Sequence, residues 1–285
     1  MRETPIKPDQ AGQSCAPLVR WAGSKRQILK QLGSYWSSDF NTYHEPFCGS
    51  LSLYLSLSPS HARLSDLNSE LIQTYKTTVR YHRAIGKVLA SMEPNSDTYY
   101  ETRRLFSAQS KKITRAAHFI YLNRLCFNGL YRTNLAGEFN VPYGGWKTPK
   151  LPGADHIRQF AKSLSRTILS CSDFEDALSF VNANDFVYLD PPYSVASVRT
   201  FKEYLPSGFA ESDLIRLRKQ LVRIDKLGAK FVLSYAETPE AAFLYEGFSH
   251  VTVPVKRLIA ASTNARTNAN EMIISNCKPR KESTE

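Results

Sequence analysis

Four apolar residues, Phe186-Val187-Tyr188-Leu189, run directly into Asp190-Pro191-Pro192-Tyr193. The apolar run reads as a strand. It cannot continue past two prolines, which fix φ and donate nothing to a ladder. The prolines therefore predict a rigid loop at the carboxyl end of a strand, where α/β folds place ligands. At ordinary residue frequencies this tetrapeptide arises by chance in roughly one chain per thousand of this length.

The surrounding pattern supports an α/β sheet. Tyr43–Phe47 reads as a strand running into Cys48-Gly49-Ser50, Leu51–Leu57 as a helix, and Ala62–Ser65 as a strand ending at Asp66. This is the β–turn–α–β start of a doubly wound sheet. Ser24 is expected to cap a helix reaching about Tyr35. Helices are expected near 68–91, 97–108 and 113–126. The Gly- and Pro-rich stretch 127–153 then reads as a loop or hairpin region. Alternation resumes with strand Thr167–Ser170, helix 173–181 and strand Phe186–Asp190. It continues with helix 210–227, strand Lys230–Ser234, helix 238–245 and a closing antiparallel pair near 248–256 and 270–276. The expected organisation is a discontinuous catalytic domain, 17–75 and 156–278, around a helical insertion, 76–155. Tails at 1–16 and 279–285 flank it.

Charge follows the same division. The chain of 285 residues carries a formal +11. Residues 101–166 hold 12 basic and 3 acidic side chains, whereas 167–198 hold 5 acidic and none basic. A basic region therefore adjoins one rich in carboxylates, and an anionic partner is expected. An ordinary apolar content of 42% excludes disorder throughout. No apolar run reaches a membrane span, and no signal-peptide core opens the chain. Cys15, Cys48, Cys126, Cys171 and Cys277 are odd in number and widely spaced, which argues against a zinc site or disulfide framework. The expectation is a soluble cytoplasmic protein without metal or membrane.

The Asp190–Tyr193 loop suits one kind of chemistry. An exocyclic amino group on a nucleobase is a poor nucleophile, because its lone pair is delocalised into the ring. Two acceptors aimed at its hydrogens, the Asp190 carboxylate and the Pro191 carbonyl, would favour a tetrahedral nitrogen. Tyr193 could stack on the base, with Pro192 stiffening the loop. The competing reading is an Asp-Pro turn that merely ends a strand. Glu45-Pro46-Phe47-Cys48-Gly49-Ser50 is a second candidate, with Asp66 where nucleotide-binding folds place a ribose-binding acid. The absence of GxGxxG disfavours a dinucleotide and fits S-adenosylmethionine better. Packing would explain that turn equally well. Arg20-Trp21-Ala22-Gly23-Ser24-Lys25 lacks the spacing of an NTPase phosphate loop. Residues 123–145 interleave Phe127, Tyr131, Phe139 and Tyr143 with Arg124, Arg132, Asn128 and Asn134. Arg and Asn can read base edges and an aromatic can wedge between bases.

Together these motifs resemble the Dam-like N6-adenine DNA methyltransferases, from about Pro17 to Asn276. The resemblance implies a Rossmann-like, mostly parallel seven-stranded sheet with an inserted helical target-recognition domain. It implies contacts to S-adenosyl-L-methionine from Trp21, Lys25, Asp66 and Asp190, from the turn Glu45, Pro46, Phe47 and Gly49, and from Asp173 with Phe174 at the cofactor's adenine. For double-stranded DNA it implies Arg20, Arg124, Phe127, Asn128, Leu130, Arg132, Asn134, Pro142 and Arg266, with Phe127 as the intercalating aromatic. The implied target is GATC or a related short site. The chain departs from the family's FxGxGS at Phe47-Cys48-Gly49-Ser50-Leu51-Ser52, which has one glycine. Alternatives are a cytosine-N4 or RNA methyltransferase, or a DNA-binding homologue that has lost catalysis.

Overall fold

The computed structural model describes residues 15–193, 209–256 and 268–280. Their strands form one seven-stranded sheet. The strands are β1 (Tyr43–Glu45), β2 (Ala62–Asp66), β3 (Thr167–Cys171), β4 (Phe186–Leu189), β5 (Lys230–Ala236), β6 (Ser249–Lys256) and β7 (Asn268–Ser275). Their spatial order is β3-β2-β1-β4-β5-β7-β6. All neighbouring pairs from β3 to β5 are parallel, whereas β7 runs antiparallel between β5 and β6. The expected closing pair therefore forms, and it completes one edge of the sheet.

β4 reads as a continuous apolar run, and β5 nearly so, because both sheet faces are covered there. Period-two alternation divides β4, β5 and β7 between two cores. In β4, Phe186 and Tyr188 enter one core while Val187 and Leu189 enter the other. The second core is closed by α7 (Phe174–Leu178), α8 (Glu211–Lys226) and α9 (Ala241–Tyr245). α8 directs Leu214, Leu217, Leu221 and Ile224 inward at helical spacing.

The other face carries α1 (Leu29–Gly33), α2 (Ser52–Leu57) and four helices between β2 and β3. These four are α3 (Ser69–Ala90), α4 (Ser96–Phe106), α5 (Lys112–Leu125) and α6 (Ala154–Ser163). Asn68 and Asn95 cap α3 and α4, each accepting from a backbone N–H three residues on. α5 is buried around nearly its whole second half, from Ala116 to Leu125, so its apolar residues show little one-sidedness. Tyr99, Phe119 and Phe139 of this region share one core with Tyr43 of β1. The boundaries expected at 75/76 and 155/156 fall inside α3 and α6.

Three further details differ from expectation. β1 stops at Glu45, because Pro46 has no N–H to continue the ladder. Ser24 caps nothing: the chain enters a 3-10 turn at Arg26–Ile28, and the Ser24 hydroxyl meets that of Ser52 at 3.3 Å. α6 fills residues 154–163, for which no element is expected, directly after the loop that ends at residue 153. Gly153 stands at its N-cap without a side-chain bond, so the usual start signal is missing.

Candidate active site

The sheet order reverses between β1 and β4, whose carboxyl ends open side by side. Such a switch point leaves a crevice for ligands. The turn after β1 fills one side. Gly49 has φ +44°, and a Cβ there would lie 2.8 Å from Trp21 Cδ1. Glycine is therefore required by both conformation and space. The Gly49 N–H donates to Asp66 Oδ2 at 3.0 Å, and the Asn68 N–H donates to Asp66 Oδ1 at 2.9 Å. The Tyr75 hydroxyl donates to the Gly49 carbonyl at 2.7 Å. Leu51, at the position of the second glycine in the FxGxGS pattern, keeps a left-handed φ of +62°.

Glu45 lies beneath this turn. It is buried and accepts a hydrogen bond from the Tyr43 hydroxyl at 2.9 Å. Burial pushes its carboxyl up to about 8, helped by the charges of Asp190 and Asp66 and opposed by the Tyr43 hydrogen bond. Burial also raises Asp66, although two backbone N–H groups oppose the shift.

Asp190 follows β4 on the other side of the crevice. The buried Lys25 ammonium sits 2.8 Å from Asp190 Oδ1 and donates to the Gly23 carbonyl at 3.0 Å. Burial disfavours the Lys25 charge, but the anionic neighbours, Asp190 foremost, outweigh it and keep Lys25 protonated. The Ser234 hydroxyl of β5 reaches the same Asp190 oxygen at 3.0 Å and contacts Tyr188 OH at 3.1 Å. The Tyr193 hydroxyl donates to both oxygens of Glu271, at 2.7 and 2.8 Å. Lys25 Nζ lies 5.2 Å from the Tyr193 ring centre. Pro191 is buried and Pro192 exposed beside them.

An aromatic wall continues the crevice. Phe47 and Phe174 have ring centres 5.4 Å apart, and Phe209 meets each at 6.2 Å. Asp173 caps α7 by accepting the Glu175 N–H at 2.9 Å. Arg216 from α8 grips three carboxylates: it pairs with Asp173, with Glu175 at 2.6 Å and with Asp213 at 2.8 Å. Its guanidinium lies 4.6 Å from the Phe174 ring centre. Among the residues expected around a cofactor, Trp21 thus packs on Gly49, Gly49 binds Asp66, Phe47 meets Phe174, and Lys25 pairs with Asp190.

The segment expected to meet nucleic acid is tied to the same crevice. The Arg20 N–H donates to Asn123 Oδ1 at 2.7 Å, and Asn123 Nδ2 donates back to the Arg20 carbonyl at 2.8 Å. Trp21 stacks on Tyr131 at 5.8 Å. Gly129, at φ +67°, leaves room for Arg20, since a Cβ would fall 2.4 Å from Arg20 Cβ. Phe127 is 43% exposed, and its N–H donates to the Pro142 carbonyl at 2.9 Å. Asn128 beside it is exposed with φ +54°, Leu130 is half-buried, and Pro142 is exposed. Arg132 Nε donates to Asn140 Oδ1 at 2.8 Å. Asn134 instead builds the hairpin turn, accepting from the N–H groups of Ala136 and Glu138. Arg124 donates to the Lys150 carbonyl at 2.9 Å, while its Nε is buried without a hydrogen-bond partner. Burial lowers its pKa, and the charges of Arg20 and Arg26 add to the shift. Arg266 lies outside the described residues.

Four residues of this arrangement escape sequence reasoning: Asn123, Ser234, Glu271 and Arg216. Ser234 leaves a trace, as a polar residue amid the apolar run of β5, whereas Glu271 sits in a half-polar strand and leaves little. Asn123 is similarly a polar residue in the buried half of α5. Arg216 leaves none, being one of several basic residues on an amphipathic helix. No group of three or more potential metal ligands occurs among the described residues. No helix among them is long and apolar enough to cross a membrane.

A mostly parallel seven-stranded sheet with one antiparallel strand inserted, and its crevice at the β1–β4 switch, is a Rossmann-like α/β fold. The model of the D12 class of N6 adenine-specific DNA methyltransferases matches residues 21–259. The chain belongs to that family. It is 34% identical to a type II methyltransferase of Methanocaldococcus jannaschii, over 91% of this chain and 98% of that one. It is 32% identical to a type II methyltransferase of Lactococcus lactis, covering 91% and 95% respectively. A DNA adenine methylase of Haemophilus influenzae is 29% identical, covering 90% and 92%.

Proposed function

We propose that this adenine-specific DNA methyltransferase takes its methyl group from S-adenosyl-L-methionine and places it on N6 of an adenine rotated out of duplex DNA, in GATC or a related short site. The observation that carries this is the Asp190 carboxylate, held by Lys25 and Ser234 at the mouth of the β1–β4 crevice. Trp21, Lys25, Pro46, Phe47, Gly49, Asp66, Asp173 and Phe174 would hold the cofactor, with Glu45 beneath them. The tight Gly49 turn, the Asp66 carboxylate and the Phe47–Phe174–Phe209 wall fit a nucleoside without phosphates. Bound there, the cofactor supplies a methyl group on a positively charged sulfur.

The chain's own residues do the rest. Asp190 and the Pro191 carbonyl accept the amino hydrogens and so free the nitrogen lone pair. Tyr193 stacks on the base and fixes its plane, with Pro192 keeping the loop rigid. Lys25 and Ser234 both contact Asp190 Oδ1, which leaves the other carboxylate oxygen to accept from the base. Extruding the base costs a few kcal/mol. We assign the holding of the opened duplex to Arg20, to Arg124, Phe127, Asn128, Leu130, Arg132, Asn134 and Pro142 of the basic insertion, and to Arg266. The exposed Phe127 ring and the mutually repelling Arg20, Arg26 and Arg124 support this face as the anion-binding one.

The test is incubation of the protein and labelled S-adenosylmethionine with plasmid DNA, followed by nucleoside analysis and methylome sequencing. N6-methyladenine at one short motif is expected, with Asp190→Ala abolishing it. N4-methylcytosine, or label only in RNA, would replace this reading with one of its alternatives.

A further inference from the structure

A ring that stacks on a base must have its plane held as well as its position. Asp190-Pro191-Pro192 fixes where Tyr193 begins, but the ring still turns about two side-chain bonds. Its hydroxyl, however, is bound by both oxygens of Glu271, 78 residues later in the chain. Glu271 is 6% exposed and sits on β7, paired opposite Ala236 of β5 and Val253 of β6. Its backbone is therefore anchored on both sides. A carboxylate only accepts, so the phenol must be the donor, and charge-assisted bonds of this length are among the stronger ones. Tyr235 meets the ring edge-on at 5.3 Å, and Lys25 lies 5.2 Å from its centre. The ring is thus held at its tip, on one edge and by a cation that also holds Asp190.

We infer that Glu271 is a positioning residue for the reaction: through the Tyr193 hydroxyl it sets the plane on which the target adenine stacks. This rests on the reading of Asp190–Tyr193 as the catalytic loop. It gives a physical reason for a buried carboxylate on β7, far in sequence from that loop. Glu271 takes no part in the bonds that form or break.

The test compares Glu271→Ala, Glu271→Gln, Tyr193→Phe and the two double variants. Duplex DNA carries the site located by methylome sequencing, or 2-aminopurine in place of its target adenine. Glu271→Ala and Tyr193→Phe are each expected to lower kcat by roughly tenfold to a hundredfold. Affinity for S-adenosylhomocysteine, titrated directly, should stay within about twofold, and the fluorescence of the extruded 2-aminopurine should change in both variants alike. Glu271→Gln keeps one neutral acceptor and should lose roughly threefold. In the Tyr193→Phe background neither Glu271 substitution should cost more than about twofold further, since the bond is already gone. Losses that multiply would overturn the inference, as would a parallel loss of S-adenosylhomocysteine binding. Should Glu271→Ala fail to fold, Glu271→Gln carries the same comparison. A fully active Tyr193→Phe beside an inactive Tyr193→Ala would reject the tether and spare the catalytic loop. An active Asp190→Ala would reject the loop itself.

Discussion

Lys25 and Asp190 form an ion pair at 2.8 Å, with side chains only 7% and 19% exposed. The pair joins the loop before α1 to the loop after β4, so it closes the crevice as well as orienting the carboxylate. Removing one partner leaves a charge with poor access to water. Lys25→Met is therefore expected to lower stability by about 2–3 kcal/mol and to abolish methyl transfer. The double variant Lys25→Met/Asp190→Asn should recover most of the melting temperature and none of the activity. Calorimetric melting beside a transfer assay checks both. A double variant no more stable than Lys25→Met would show that the pair is not coupled.

Glu45 gives the fold a pH dependence of predictable sign. Its carboxyl moves from an ordinary 4.5 up to about 8 on folding. The native state then holds this proton more tightly than the unfolded chain does. The resulting stabilisation is complete below about pH 4.5 and is lost as the pH rises through about 8. Glu45→Gln keeps a neutral side chain of the same shape and removes the titration. Its melting temperature relative to the wild type should rise steadily between about pH 5 and 8. Asp66 is raised in the same direction, but it is common to both proteins and cancels in the difference. A constant difference across that range would mean that Glu45 stays ionised in the fold.

Gly49 and Gly129 separate the two halves of the site. Each has a positive φ, and a Cβ would strike Trp21 in the first case and Arg20 in the second. Alanine at either position should cost about 1–3 kcal/mol through backbone strain and crowding. Their binding defects should differ. Gly49→Ala is expected to weaken S-adenosylhomocysteine by roughly tenfold or more and leave DNA affinity near normal. Gly129→Ala should do the reverse, because it displaces Arg20. Paired titrations of the two ligands decide the matter, and equal losses of both in either variant would contradict the division.

The strand pattern carried most of this fold into the sequence. The apolar run of β4 ends at Asp190, and the turn at Gly49 and the acid at Asp66 follow or close β1 and β2, so the carboxyl ends of three parallel strands are marked locally. The candidate loops were legible for the same reason, since glycine and paired prolines constrain the backbone locally. The partners of those loops were not. Ser234, Glu271 and Arg216 act across 40 to 80 residues of chain, and nothing local records which strand will lie beside which. Asn123 is a similar case: its reciprocal bonds to Arg20 span 103 residues and look like an ordinary helical Asn in sequence. α6 was hidden because Gly153 offers no capping side chain.

Arg216 extends the aromatic wall proposed above to face the cofactor's adenine. By holding Asp173, Glu175 and Asp213 together it links the N-terminus of α7 to α8, and its guanidinium stacks near Phe174. Arg216→Ala frees three neighbouring carboxylates to repel one another, which should loosen that wall. A roughly tenfold weaker affinity for S-adenosylhomocysteine is expected, with duplex affinity unchanged. Arg216→Lys should recover only part of it, because an ammonium cannot reach three carboxylates in a planar fork. Raising the salt concentration should weaken wild-type cofactor binding little, since the groups are partly screened by packing, while DNA binding falls steeply as phosphate-bound counterions are released. Cofactor affinity indifferent to Arg216→Ala would leave the residue a purely structural link between the two helices.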